Sequence, residues 1–415
     1  MTNLASDFEV IVIGAGAAGL AAAKRLSAQG ISIAVLEARD RIGGRALTRM
    51  EGGFPLDLGC GWLHSADRNP WTKIAAETGF TIDKTAPGWT AQSLDLGFSR
   101  EDQASFAAAS EQFHARLSAV DPDAGDFPAA ELLAPGSSWN ALLNAESSYI
   151  NGVEWDRVSA QDFNRYADSH VNWRVTEGYG AMIKAYGSGL PIRLNCAVTR
   201  IDHREKRIKV ETSHGSFSAD AVILTIPPTL IAAETIAFLP ALPDKIDAAE
   251  LLPLGIADKL VMAIDAPEIL PIDGHLFGDP GKTATGSYHL RPFGRPLIEG
   301  FFGGRLAHDL EAAGPGAFLD FASRELVQLF GAAIAPRLRP LAETGWAADP
   351  LTRGSYSHAM PGHVDARQKL AAPVDGRLFF AGEACSPNSF STAHGAYLSG
   401  IDAAEQFFAL RPQRP

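Results

Sequence analysis

Apolar positions near the start of the chain come without interruption. Val10-Ile11-Val12-Ile13 is β-branched throughout, the pattern of a strand covered on both faces. It passes directly into Gly14-Ala15-Gly16-Ala17-Ala18-Gly19 and an Ala/Leu-rich run with helical spacing, which predicts strand, glycine turn and helix. A second apolar run over residues 31–36 predicts a neighbouring strand ending at Glu37. From Asn69 to about Arg174 the pattern turns helical, broken at Ala86-Pro87-Gly88, Asp121-Pro122-Asp123 and Ala134-Pro135-Gly136. After Thr176, Glu177-Gly178-Tyr179-Gly180 precedes a helix that ends at Tyr186. Residues 192–194, 197–203, 206–212 and 221–225 then read as successive strands, with His214-Gly215 as a hairpin turn and Pro227-Pro228 as a stop. Mixed helical and strand patterns fill residues 230–343, and the chain closes with a buried strand ending in Ala381-Gly382-Glu383 and a helix that begins after Thr392.

These alternations predict an α/β protein. Residues 1–85, 176–229 and 344–415 should form a Rossmann-like, dinucleotide-binding domain; residues 86–175 and 230–343 should form a mixed α+β substrate domain, so both are discontinuous. A length of 415 residues suffices for two cores. The net charge of -12 argues against nucleic-acid backbones and anionic membrane surfaces as partners. Within residues 87–185 acids outnumber bases roughly two to one, a bias that suits a solvated face and also the steering of cationic substrates. Cys60, Cys196 and Cys385 are odd in number and spaced for neither disulfides nor a metal, which fits a reducing, cytoplasmic location. Asp7 and Glu9, with no Lys or Arg, precede the first apolar run, so it does not read as a secretion signal; the tail Arg411-Pro412-Gln413-Arg414-Pro415 is too short and polar for a membrane anchor.

The opening motif carries chemistry. Gly14 permits the tight turn, Gly16 lets backbone approach a pyrophosphate, and Gly19 lets helix and strand close up; Ala15 and Ala18 of the same motif are expected among the cofactor contacts. The helix N-terminus offers free N–H groups to the phosphates. Glu37 stands about 20 residues further on, where a carboxylate accepts hydrogen bonds from ribose hydroxyls. After Glu37-Ala38 come Arg39, Arg41 and Gly43-Gly44-Arg45, a second glycine pair among cations. A cofactor lying extended through the protein needs this second backbone approach, whereas NAD does not, so FAD is favoured.

Glu37-Ala38-Arg39 with Gly43-Gly44-Arg45 resembles the flavin-dependent amine oxidase family, which includes monoamine and polyamine oxidases and histone demethylase relatives. The similarity runs in blocks over nearly the whole chain. It implies that Gly59, Cys60, Gly61 and Trp62 pass along the flavin, that His64 faces the substrate amine, and that Val198 meets the adenosine through its backbone. Lys259 would hold a water beside flavin N5, where a cation stabilises anions formed from O2; the same lysine also suits the exposed end of a strand. Ser355 occupies the place of the cysteine that attaches to flavin in monoamine oxidases, so the FAD is expected to be non-covalent. Tyr356 would form one wall of an aromatic cage. Thr392 stands where many relatives have the second tyrosine, and Phe390 or Trp346 is left to supply that surface. Glu383 would contact the cofactor, and the helix opening at Thr392 and Ala393 would point its dipole at the flavin N1 and C2 carbonyl. Gly395 and Gly400 would let this helix lie on the first βαβ unit.

The resemblance implies oxidation of a small amine to an imine, hydrolysed to an aldehyde or ketone, with O2 reduced to H2O2. The same scaffold also hosts amino-acid oxidases, desaturases and dehydrogenases that pass electrons to a carrier protein, and a non-catalytic flavin-binding protein would carry the same motif. The sequence defines neither the amine nor the oligomeric state.

Overall fold

A computed structural model describes residues 7–411. Residues 1–6 and 412–415, on which the readings about a leader and a tail partly rest, lie outside it. The first apolar run becomes the middle of an eight-stranded sheet. Asp7–Ile13 lies between Ile33–Leu36 and Gly215–Leu224, parallel to both, and Val10, Ile11 and Val12 are fully buried. Its two faces explain the unbroken hydrophobicity. Val10 and Val12 pack under the helices Ala17–Ser27 and Ala393–Leu410, while Ile11 and Ile13 pack under Pro228–Ala232, Pro243–Glu250 and Ala366–Ala371. Burying each such side chain stabilises the fold by about 1.5–3 kcal/mol.

Outward from the centre the sheet continues through the antiparallel strands Ile208–Thr212 and Val198–Asp202 on one side and Ile192–Arg193 on the other. Leu378–Phe380 joins the end of Gly215–Leu224 in parallel. That central strand is longer than the expected 221–225, because its polar first half pairs with Ile208–Thr212 across the hairpin. The chain stays on the large sheet for a time after residue 229. Ala237–Leu239 pairs with Val198–Asp202, and Phe238, Ala248 and Leu252 share the core under the large sheet. Lys245, buried and held near a pKa of about 8 by that burial, donates to the carbonyls of Lys369, Leu370 and Ala372 at the end of the helix Ala366–Ala371. Pro227-Pro228 ends a strand but not the layer.

The second sheet is antiparallel, in the order Gly274–Phe277, Ser287–Leu290, Leu297–Gly303, Ala257–Ile264, Leu338–Glu343. Leu260, Met262, Ile298 and Phe302 pack under the helices Gly304–Ala313 and Ala317–Phe330. The alternate residues Lys259, Ser287 and Phe301 face a cavity. Arg100–Ser118 and Asn140–Asn151 wall that cavity from another side, around Phe106, Phe113, Leu142 and Trp155. The helical stretch read over 69–174 hides two short strands, Ile82–Asp83 and Trp173–Val175, which form a three-stranded sheet with Trp62–Leu63. Strands of two or three residues carry no readable period. Among the described residues no helix is long and apolar enough to cross a membrane. No group of three His, Cys, Asp or Glu among them is placed to hold a metal ion.

The C-terminal helix closes on the N-terminal one. A Cβ at Gly400 would lie 2.1 Å from the Ala18 carbonyl oxygen, so a glycine is required for the two backbones to meet. Gly395 serves a different contact from the one expected of it: its missing side chain admits the Ser389 carbonyl of the loop before the helix, 1.8 Å from a built Cβ. In a free helix Gly400→Ala would gain about 1 kcal/mol. Here overpacking against a rigid backbone outweighs that gain, and a net loss of about 1–3 kcal/mol is expected. Thermal unfolding of the variant checks it, and an unchanged or higher Tm would show that the helices are not in contact.

Candidate active site

A continuous cavity of about 1340 Å³ runs between the two sheets. At one end the turn after Asp7–Ile13 is held by its own backbone. Gly14 takes φ of 100°, its N–H bonding the Leu36 carbonyl at 2.8 Å, and a Cβ at Gly19 would sit 2.0 Å from the Gly14 oxygen. The Glu37 carboxylate accepts from the Ala15 N–H at 2.7 Å and the Arg39 N–H at 2.9 Å, fixing the acid beside the turn with lone pairs to spare. Gly43 donates to the Ala15 carbonyl, so the second glycine pair lies directly on the first. Gly14, Gly16, Ala18, Glu37, Ala38, Arg39, Gly43, Gly44, Arg45 and Val198 all line this end. Ala15 and Gly19 do not; both act beneath the surface, Ala15 through its N–H and Gly19 through close packing.

At the other end Gly59, Cys60, Gly61, Trp62, His64, Lys259, Trp346, Tyr356, Gly382, Glu383, Thr392 and Ala393 line the same cavity. Lys259 donates from Nζ to the Asp57 carbonyl at 2.7 Å and lies 5.2 Å over the Phe301 ring. Gly61 sits against that ammonium, with a built Cβ 3.3 Å from Nζ. Burial pushes the Cys60 thiol up to about 12, so it is held as a thiol. The Tyr356 hydroxyl donates to the Tyr149 carbonyl, which turns the ring rather than the hydroxyl to the cavity. The Ser355 hydroxyl is engaged with both the N–H and the carbonyl of Ala257, each at 2.9 Å, stapling this strand to the one that carries Lys259. Thr392 caps the C-terminal helix, accepting from the Gly395 N–H at 2.9 Å and donating to the Ser389 carbonyl. A hydroxyl does that work and an aromatic ring cannot. Phe390 supplies surface nearby, one face of its ring covered by the Arg367 guanidinium at 3.8 Å.

Glu383 is the junction of the site. Its carboxylate accepts from Arg45, from the Ser357 hydroxyl and N–H, and from the Ser391 N–H, at 2.7–3.1 Å. Behind it Arg367 donates to the Ser357 hydroxyl and pairs in fork geometry with the buried Asp162. Burial works to raise the Glu383 pKa, but Arg45, Arg367 and the Ser357 bond outweigh it and hold the group below the usual carboxylate range. His64 is half-buried, and loss of solvent holds its imidazole below the ordinary histidine value against the opposing pull of Asn172 and Asp168.

Sequence reasoning passed over several lining residues. Trp89, in edge contact with Trp62 at 4.4 Å, lay in a stretch read only as a loop break. Glu146 and Asp168 lay in the acid-rich region read as a solvated face or an electrostatic entrance. Asn172, which bonds His64 at 2.7 Å, gave no signal at all.

The slim glycine track, the buried acid beside it and the long cavity fit FAD, and together they define a flavin-dependent oxidoreductase. The chain matches the family described as flavin containing amine oxidoreductase over residues 17–94 and 92–407, and it belongs to that family. It is 30% identical to polyamine oxidase 4 of Oryza sativa subsp. japonica over 97% of this chain and 89% of that one. It is also 30% identical to polyamine oxidase 2 of Arabidopsis thaliana, over 95% and 87%. Its fold superposes on putrescine oxidase bound to putrescine with a TM-score of 0.78, at 20% identity, covering 97% of this chain and 99% of the other. The protein is thus an FAD-dependent amine oxidase that acts on a small-molecule amine.

Because the Glu383 pKa is lower folded than unfolded, its stabilisation is present above the ordinary carboxylate range and is lost as pH falls through the folded value. Glu383→Gln is therefore expected to destabilise the protein by about 1–3 kcal/mol at pH 7. The gap from the parent should narrow as pH falls below about 4. Thermal melts across that range check it; a gap independent of pH would mean that the carboxylate is not ionised.

Proposed function

We propose that the substrate is a diamine or polyamine, oxidised at a carbon next to nitrogen. The observation that supports this is Glu146. Its carboxyl lines the cavity, no hydrogen bond or ion pair reaches it among the described residues, and burial pushes it up to about 8. An ammonium brought against it restores the carboxylate. The helix Asn140–Asn151 sets its position: the Gly152 carbonyl at the helix end accepts from Ile256, next to the Lys259 strand, and Tyr149 holds Tyr356. By helical rise Glu146 stands about 9 Å back from Gly152, a spacing that a flexible polyamine chain spans. The names of the curated relatives support the same class.

In this reading Tyr356, Trp346 and Phe390 clasp the reacting end. His64 faces the substrate nitrogen, and once that nitrogen has lost its proton the uncharged amine can push electron density toward the adjacent carbon. Bound FAD supplies the two-electron acceptor for the C–H bond that breaks. The imine leaves and is hydrolysed to an aldehyde and a smaller amine. O2 is the electron acceptor and H2O2 the product; Lys259, held by Asp57, sets a positive charge where oxygen anions form. A cytoplasmic location belongs to the same proposal, supported by three free cysteines.

Anaerobic bleaching of the yellow protein by putrescine, spermidine, aromatic monoamines, alkaloid amines and amino acids tests the substrate class. Diamines or polyamines should bleach it fastest. Glu146→Gln should raise their KM by about tenfold, about 1.4 kcal/mol, while leaving monoamines untouched; equal bleaching by monoamines would overturn the reading. Lys259→Met should leave anaerobic bleaching nearly intact and slow reoxidation by O2 by about 100-fold. Ordinary peroxide formation by that variant removes the lysine from the mechanism.

A further inference from the structure

We infer that Asp258 and Glu311 share a single proton and that the pair positions residues 344–348, the stretch that carries the Trp346 wall of the cavity. The inference takes from the proposed function that Trp346 clasps the reacting end of the substrate. Two acids from different elements grip this stretch. Asp258, on the strand that carries Lys259, accepts at Oδ1 from the Thr344 hydroxyl at 2.7 Å and from the Trp346 N–H at 3.1 Å. Glu311, on the helix Gly304–Ala313, accepts from the Ala347 N–H with one oxygen and from the Ala348 N–H with the other, each at 3.0 Å. Thr344 also ties the stretch to the strand: its hydroxyl accepts from the Lys259 N–H at 2.8 Å and its N–H donates to the Lys259 carbonyl at 3.0 Å. Trp346 lies inside this grip and lines the cavity.

The arrangement leaves Oδ2 of Asp258 beside Glu311 with no N–H or O–H donor to meet it among the described residues. Asp258 is only 1% exposed, so water does not reach it either. Ionised, it would carry bare lone pairs in the interior next to a second negative charge. A proton on Oδ2 removes both faults, because the repulsion becomes an O–H···O bond to Glu311. Burial and then that bond hold the Asp258 carboxyl up to about 8, against the opposing pull of Thr344 and Trp346. The neighbouring cations are engaged elsewhere: Lys259 turns Nζ to the Asp57 carbonyl, Arg305 pairs with Glu154 and Asp156, and Arg39 pairs with Asp349. Tyr356, raised above its ordinary value by burial and then by Asp258, is uncharged, and Glu343, His308 and Asp309 are exposed to solvent.

The test uses the holoenzyme. Asp258 keeps its proton in the folded chain but loses it in the unfolded one between the ordinary carboxylate range and about 8, so the parent should lose stability as pH rises through that window. Asp258→Asn keeps the acceptor at Oδ1 and sets a permanent N–H toward Glu311, so its Tm should climb relative to the parent over the same window. The infrared spectrum of the parent at neutral pH, minus that of Asp258→Asn, should show the carbonyl stretch of one protonated carboxyl group. At matched pH, where substrate ionisation is the same for both, kcat/KM of the parent should fall relative to the variant by up to about tenfold for each pH unit above 8, the slope of one ionising group, at unchanged FAD content. A Tm gap that is constant or turns against the variant as pH rises, or an infrared difference without that band, means that Asp258 is ionised and overturns the inference. If melts and infrared respond while the kcat/KM ratio stays flat, the shared proton is upheld and it is the clasping role of Trp346 that fails.

Discussion

One buried carboxylate holds the two ends of this chain together. Glu383 lies 338 positions from Arg45, yet the two meet at 2.9 Å in the interior. Removing charge from water is unfavourable unless every lone pair finds a partner. Here one arginine, a hydroxyl and two backbone N–H groups supply them, with Arg367 behind the hydroxyl, and those partners come from three separate segments of the chain. The pairing works only if the glycine turn, the Ser355–Ser357 stretch and the start of the last helix are all in place, so the same contacts that satisfy the acid also shape the cofactor end of the cavity.

The constraint extends to the substrate side. Arg367 links Glu383, through Ser357, to Asp162 and also backs the Phe390 ring. Asp162 is in turn capped by Ser159 at the start of the helix that precedes the cavity-lining residues Tyr166 and Asp168. A rigid scaffold of this kind gives the reacting carbon a fixed place without dedicated loops. The roomier part of the cavity, walled by Arg100–Ser118 and Asn140–Asn151, is where substrates differing in length can be told apart.

The sequence made the cofactor half legible because its signals are local. A β-branched run, three glycines and one acid at fixed offsets each answer to a steric or hydrogen-bonding demand within a single βαβ unit, and Glu37, Gly43 and Arg45 lie where that logic puts them. Lys259 and Glu383 needed the family resemblance, since a lysine at a strand end or an acid after a strand is ordinary by itself. What stayed hidden depended on long-range register. Asn172 meets His64 across 108 positions and Asp162 meets Arg367 across 205, and no local pattern marks either pair. Glu146 was hidden differently: it sits among helical polar residues that look solvated until a neighbouring helix covers them. A proline pair such as Pro227-Pro228 marks the end of a strand and not of a layer, so the pairing of Ala237–Leu239 with the large sheet gave no local signal either.

The pairing of first and last segments also governs the order in which the molecule can mature. During synthesis the opening strand and helix are complete long before Leu378–Phe380 and Ala393–Leu410 exist to cover them. At about 5–20 residues per second, the 338 positions between Arg45 and Glu383 take roughly 20–70 s to make. Through that interval the surface of Ala17–Ser27 destined for the last helix is bare. Until those segments emerge the nascent chain carries this apolar surface uncovered, and a chain cut short before Leu378 lacks both the strand and the helix that close it.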